Sequence, residues 1–247
     1  MHKTGRRVMM PKVQLNLEKM ENYFVNESFK TLRTNLQFCG SDYKVIDITS
    51  CDANEGKSTI ALMLSKSLSD IKKKVVFVDC DLRRSVVATR FCDGKNVKGM
   101  SEYLSGLATK EEIICSTQYK NLDIIFAGPC CPNPVELMMS DTFVSLIKEL
   151  KIKYDYVIID TPPLGLVIDS AVVAKNCDGA VMVISSGRIR TKQAKATKTQ
   201  LEKSGCKILG AVLNHSDKRG ESHYKKYYKR YYGKGYYSHY LPQEENS

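Results

Sequence analysis

A chain of 247 residues, 43% hydrophobic and 26% charged, has the composition of an ordinary globular protein and the length for one large α/β domain or two small ones. Nine cysteines with no C-x-x-C pair exclude a zinc ribbon and argue against a disulfide framework; buried free thiols in a reducing cytoplasm are expected instead. The net charge of +11 points to a polyanionic partner: nucleotide phosphate, nucleic acid or an anionic membrane face.

The first twenty residues are basic and without clear periodicity, so 1–20 reads as a flexible arm. Charges there have no apolar stretch behind them, which argues against a secretory signal, and no apolar run in the chain reaches membrane-spanning length. From Glu21 to Phe38 the pattern turns helical, with Tyr23, Phe24, Phe29, Leu32, Leu36 and Phe38 as apolar members. Glu27, Lys30 and Arg33 follow at successive i, i+3 steps along one face of that helix, which on periodicity alone is a solvated charged face.

Val45–Ser50 reads as a buried strand. The loop Cys51-Asp52-Ala53-Asn54-Glu55 follows it, and Gly56-Lys57-Ser58-Thr59 opens a second helix. That strand–loop–helix context is the one in which a phosphate-binding loop is expected. Backbone N–H groups of the loop and first helical turn converge on one point, where the helix dipole adds positive charge. Lys57 would reach the β- and γ-phosphates and the Ser58 hydroxyl would hold Mg²⁺. Cys51 stands where the first Gly of the usual pattern belongs, and G-K-S-T after a strand is also what an ordinary capped helix start looks like.

Val75–Val78 is a continuous apolar run, as in a strand buried on both faces of a parallel sheet, and it ends in Asp79-Cys80-Asp81-Leu82-Arg83-Arg84. Two carboxylates at the end of such a strand lie where open α/β sheets bind ligands. Beside a phosphate loop they are candidates for Mg²⁺ coordination and for activating a nucleophile; in isolation they would be a polar loop. Short helices are expected at Met100–Leu104 and Lys110–Cys115, and a strand at Leu122–Phe126. A stiff turn runs through Gly128–Pro134, and helix from Val135 to Lys151 is broken at Ser140-Asp141, where Asp141 would cap the second piece. Tyr156–Ile159 is a further buried strand, and it aims Asp160 as a Walker B carboxylate would be aimed. Helix at Asp169–Lys175, strand at Ala180–Ile184, helix at Thr191–Ser204 and strand at Ile208–Leu213, ending at Asn214, complete an alternation of strands and helices. The expected fold class is α/β: parallel βαβ units around one sheet flanked by helices on both faces, in a single domain over 21–215.

From Ser216 the composition changes. Tyr224, Tyr227, Tyr228, Tyr231, Tyr232, Tyr236, Tyr237 and Tyr240 alternate with lysines, an arginine and glycines, almost without aliphatic residues. Segment 216–247 is expected not to order itself. On its own it fits single-stranded nucleic-acid binding, an anionic membrane surface, or a set of accessible phosphoacceptors.

Together these features resemble the bacterial tyrosine kinases (BY-kinases), in the cytoplasmic form found in Gram-positive capsule and exopolysaccharide systems. Val75–Arg83 is similar to the family's Walker A′ pattern, with Asp79, Asp81 and Arg83 in place; Val157–Pro163 is similar to its Walker B pattern; Gly128 to Leu137 and the terminal tyrosine cluster follow in the family's order. The resemblance covers Tyr23 to Tyr240 and implies a P-loop NTPase fold. It also implies an ATP- and Mg²⁺-dependent protein-tyrosine kinase that phosphorylates its own tail in trans, recruited to the inner face of the cell membrane by a transmembrane activator of the polysaccharide co-polymerase type.

Carried onto this sequence, the family's pattern makes Lys57 and the loop Asp52–Thr59 the nucleotide cradle, with Ser58, Asp81 and Asp160 around the metal. Asp79 is then the base toward the acceptor tyrosine, and Arg83 a stabiliser of the transferred phosphoryl or an orienter of Asp81. Asn214 is a candidate contact to the nucleotide base. The family's E-x-x-R-x-x-R, used for ring assembly, stands here as Glu27, Lys30 and Arg33; Lys30 keeps the charge and loses the planar fork. Asn54 replaces a usual Gly, and Asn tolerates left-handed backbone better than other residues. Partition and septum-site ATPases carry a signature Lys five positions before Lys57, where this chain has Asp52. The implied partners include a neighbouring subunit's tail and no nucleic acid. A P-loop ATPase with a polyanion-binding tail and a nucleotide-sensing scaffold remain the alternative readings.

Overall fold

A computed structural model describes residues 10–20, 22–92 and 97–216. Seven strands form one sheet: β1 (Val45–Ser50), β2 (Val75–Asp79), β3 (Cys115–Ser116), β4 (Leu122–Ile125), β5 (Tyr156–Asp160), β6 (Gly179–Ser185) and β7 (Ile208–Asn214). Their spatial order is β3-β4-β2-β5-β1-β6-β7, parallel throughout except for β3 at one edge. The expected α/β architecture is present. It places β2, β5 and β1 side by side at the centre, so the three segments that carry the motifs leave the sheet at the same end.

Strand periodicity divides the core. On β1 and β2, Ile46, Ile48, Val75 and Phe77 face one side and pack with Leu62, Leu64 and Leu68 of α2 (Lys57–Asp70). Val45, Val76 and Val78 face the other and pack with Phe143, Leu146 and Leu150 of α7 (Asp141–Lys153). Both faces are covered, which explains why these strands read as unbroken apolar runs rather than alternating ones. Asp47, in the middle of β1, is the charged exception and is fully buried.

The helix α1 (Tyr23–Phe38) starts where Asn22 accepts a hydrogen bond from the Val25 amide at 3.0 Å, and it packs along α2. Ahead of it, the expectation of a loose arm over 1–20 is corrected from Met10 onward; residues 1–9 lie outside the described ones. Val13, Leu15 and Leu17 are each at most 2% exposed. Their period-2 spacing lets an extended segment bury one side, and its backbone bonds to Ser116 and Phe91 while Gln118 brackets Leu15 through both amide atoms. The surrounding charges obscured an alternation only three residues long. Two smaller differences are local. Ser140, not Asp141, caps α7 by accepting from the Phe143 amide at 3.3 Å. Cys115 belongs to the short antiparallel β3, and the preceding helix runs only from Lys110 to Ile113.

Candidate active site

Loop 51–56 is held from behind by the protein itself. Asn54 takes a left-handed φ of 61° and Gly56 one of 85°, so Asn serves at a position that would strain most other residues. Gly56 must be Gly for a second reason: a Cβ there would sit 2.3 Å from Nδ2 of Asn214. Glu55 is turned inward and is 2% exposed. Its carboxylate accepts the Asp52 amide and, at 2.7 Å, the Ser185 amide at the end of β6. Asn214 donates from Nδ2 to the Glu55 carbonyl at 2.9 Å. The Glu55 side chain and Asn214 thus brace the loop against β6 and β7. Cys51, fully buried, packs with Leu164 and Ala171, which accounts for an apolar side chain where a Gly is usual.

In front of the loop, Lys57 is enclosed by carboxylates. Its Nζ lies 3.4 Å from Asp81 Oδ2 and 3.5 Å from Asp160 Oδ1, and 3.3 Å from the Ser58 hydroxyl. Burial works against the lysine charge, but Asp160, Asp81 and Asp79 outweigh it and hold the ammonium above its ordinary value. Asp160 is raised chiefly by burial, with Lys57 opposing. The register sets this cluster: Asp79 and Asp160 are opposite one another on β2 and β5, and the Cys80 amide donates to the Asp160 carbonyl at 2.8 Å. Asp79 is fully buried, accepts from the Ser85 hydroxyl and from the Asp81 amide, and is pushed up to about 7 by burial and then by Asp160.

Neither oxygen of the Asp160 side chain has a donor at full hydrogen-bond geometry; the nearest, Lys57 Nζ at 3.5 Å and the Ser58 hydroxyl, only partly offset its burial. A buried carboxylate so loosely paired is costly, and it needs a cation. Lys57 supplies one charge; the two oxygens beside the Ser58 hydroxyl suit a hard, oxygen-seeking ion such as Mg²⁺. Among the described residues no three His, Cys, Asp or Glu side chains converge on a metal position.

Residues 43–188 match the AAA domain family. The tyrosine-protein kinase CpsD of Streptococcus agalactiae is 42% identical over 188 residues, covering 76% of this chain and 82% of that protein. The tyrosine-protein kinase YwqD of Bacillus subtilis is 37% identical over 81% of this chain and 84% of its own length. The chain belongs to the bacterial tyrosine-kinase family. Among solved structures, the kinase domain of the Escherichia coli tyrosine kinase ETK superposes with a TM-score of 0.73 at 31% identity, over 80% of this chain and 77% of that one. The septum site-determining protein MinD of Pyrococcus horikoshii, complexed with Mg-ADP, superposes at 0.58 and 28% identity, over 70% and 72%. The kinase thus shares the P-loop NTPase fold of the septum ATPases. No described helix is long and apolar enough to cross a membrane.

Arg83 donates from Nε to Asp169 Oδ1 at 2.8 Å and lies near enough to Asp81 for that carboxylate to help hold its charge. On α1, Lys30 pairs with Glu27 at 2.6 Å on the exposed surface, whereas Arg33 reaches across to α2 and donates to the Ser67 carbonyl at 2.6 Å. Arg33 therefore joins two helices of one chain. The tyrosines from Tyr224 to Tyr240 lie outside the described residues. Sequence reasoning missed Asp169, Ser85 and Asp47. Of these only Asp47 left a signal, as a charge inside an otherwise apolar strand run.

Proposed function

We propose that this kinase transfers the γ-phosphoryl of ATP to the tyrosines of a neighbouring subunit's tail. The observation that carries the reading is Asp160: buried, only loosely approached by Ser58 and Lys57, and directed at the phosphate-loop lysine. Such a carboxylate belongs to a site built for a cation and a polyphosphate. When bound, Mg²⁺ would supply positive charge against the phosphates. Lys57 neutralises β/γ charge, Ser58 and Asp160 face the metal with Asp81 beside them, and the loop amides from Asp52 to Thr59 hold the phosphates. Asp79 takes the proton from the incoming tyrosine hydroxyl. A phenol has an ordinary pKa near ~10, and a buried carboxyl pushed up to about 7 is a better-matched acceptor than an exposed one.

The face carrying Glu27, Lys30 and Arg33 packs against a second copy in a ring, and a transmembrane activator of the polysaccharide co-polymerase type brings the assembly to the membrane to regulate capsule or exopolysaccharide synthesis. Each phosphotyrosine adds about −1.5 to −2 charge, so roughly three cancel the five cations between Lys225 and Lys234 and further ones make the tail repel its neighbours. Unphosphorylated protein then assembles and heavily phosphorylated protein dissociates, which size-exclusion chromatography reads directly.

Transfer in trans is tested by mixing a Lys57→Met chain, intact in its tail, with a chain whose eight tail tyrosines from Tyr224 to Tyr240 are Phe, in ATP, Mg²⁺ and the activator's cytoplasmic segment. Phosphotyrosine on the Lys57→Met tail is expected. Phosphate release with an unmodified tail would instead make the protein an ATPase.

A further inference from the structure

We infer that Asp47 is a positioning residue for the phosphoryl-transfer site, one buried carboxylate that fixes the chain directly after Asp160 and directly after Asp169. The inference rests on the kinase reading for its consequence and on geometry for its substance. Asp47 lies mid-strand in β1 with no exposed surface. Its Oδ1 accepts from the Thr161 hydroxyl at 2.7 Å and its Oδ2 from the Ser170 hydroxyl at 2.9 Å. Thr161 follows Asp160, the carboxylate beside Lys57. Ser170 follows Asp169, which is itself fully buried and receives Nε of Arg83. One side chain thus ties together the strand before the phosphate loop, the metal-facing carboxylate and the mount of Arg83.

Burial pushes the Asp47 carboxyl up to about 7 even with its two hydroxyl partners. A charged residue kept at such a cost serves where a precise hydrogen-bonded shell is required around reacting groups. Asp47 touches no substrate position; it acts through Thr161 and through Ser170, Asp169 and Arg83.

The test uses the full chain with Asp47→Ala, Asp47→Asn and Ser170→Ala, each alone and combined with Arg83→Ala. Turnover and KM for MgATP are measured beside the melting temperature and, without nucleotide, the Arg83 Nε–H resonance. Asp47→Ala should lower turnover about tenfold with KM within about twofold, because positioning is lost and ground-state binding is kept. Asp47→Asn should stay within about threefold of wild type, since the amide accepts from one hydroxyl and donates to the other. Ser170→Ala should cost about fivefold alone and less than about twofold in the Arg83→Ala background, the non-additivity expected when two residues act through one contact.

Both Asp47→Ala and Ser170→Ala should move the Arg83 resonance. Equal Ser170→Ala penalties in the two backgrounds, or an unmoved Arg83 resonance, would overturn the inference. Should Asp47→Ala fail to fold, Ser170→Ala and Asp47→Asn decide by the same criteria. If wild type neither phosphorylates tyrosine nor hydrolyses ATP, the kinase reading falls, and the Arg83 resonance still decides whether Asp47 holds that mount.

Discussion

Two lysine–carboxylate groupings in this molecule contrast in every respect except chemistry. On α1, Lys30 and Glu27 meet at 2.6 Å with side chains 56% and 46% exposed. At the phosphate loop, Lys57 stands 3.5 Å from Asp160 with side chains 11% and 1% exposed. The shorter pair is the weaker one. Exposed pairs of this kind contribute about 0.2–1 kcal/mol and are screened by salt, because water offers both partners nearly equal solvation. Removing one member of a buried pair leaves an uncompensated charge and costs about 3 kcal/mol or more. Distance alone is therefore a poor guide to which contact holds the fold and which is available to a partner. The open geometry around Lys57 suits a group that must release its carboxylates to a phosphate. The closed geometry of Lys30 and Glu27 leaves a solvated face free for another subunit.

The contrast is sharpest for Lys57→Met. Loss of phosphotyrosine formation by at least about a thousandfold is expected, together with a lower melting temperature from the stranded Asp160, read by calorimetry. A fully active Lys57→Met protein would break the comparison at its stronger end. Asp160→Asn comes next. It keeps the shape and removes the charge, so activity should fall about a hundredfold or more, with partial recovery as Mg²⁺ is raised. An unchanged Mg²⁺ dependence would separate Asp160 from the metal.

Away from the site, Leu15→Ala removes a side chain that is 1% exposed and should destabilise the fold by about 2–4 kcal/mol in a urea titration. A loss under about 0.5 kcal/mol would return this segment to the status of a loose arm. The smallest effect is Lys30→Ala. Monomer stability should change by less than about 1 kcal/mol, while the sedimentation profile shifts toward smaller species. A large stability loss without change in assembly would assign Lys30 to its own chain.

What could be read from residues and what could not divides along sequence separation. The strand ends at Asp79 and Asp160 announced themselves through local runs of apolar residues, and parallel pairing then forced them together. The same holds for the left-handed Asn54, whose residue type is suited to its backbone. Glu55, Asn214 and Arg33 were legible as charged or polar residues in the right places, but not as braces. Their partners are Ser185, the Glu55 carbonyl and Ser67, between 34 and 159 residues away. Asp47 and Asp169 went unnoticed for the same reason: a hydroxyl 114 residues distant bonds the first, and an arginine 86 residues distant bonds one oxygen of the second. Val13, Leu15 and Leu17 were hidden by their brevity among basic residues, where three alternating positions carry little weight against net charge.

The central claim is that one buried constellation, Lys57 among Asp79, Asp81 and Asp160, transfers phosphoryl groups to tyrosine. Intact-mass and tandem mass spectrometry of the purified full chain, incubated with ATP, Mg²⁺ and the activator's cytoplasmic segment, tests it most directly. Stepwise phosphate additions mapping to Tyr224–Tyr240 in wild type, and none in Lys57→Met, are the predicted result. An unmodified wild-type tail under conditions where ATP is consumed would contradict it.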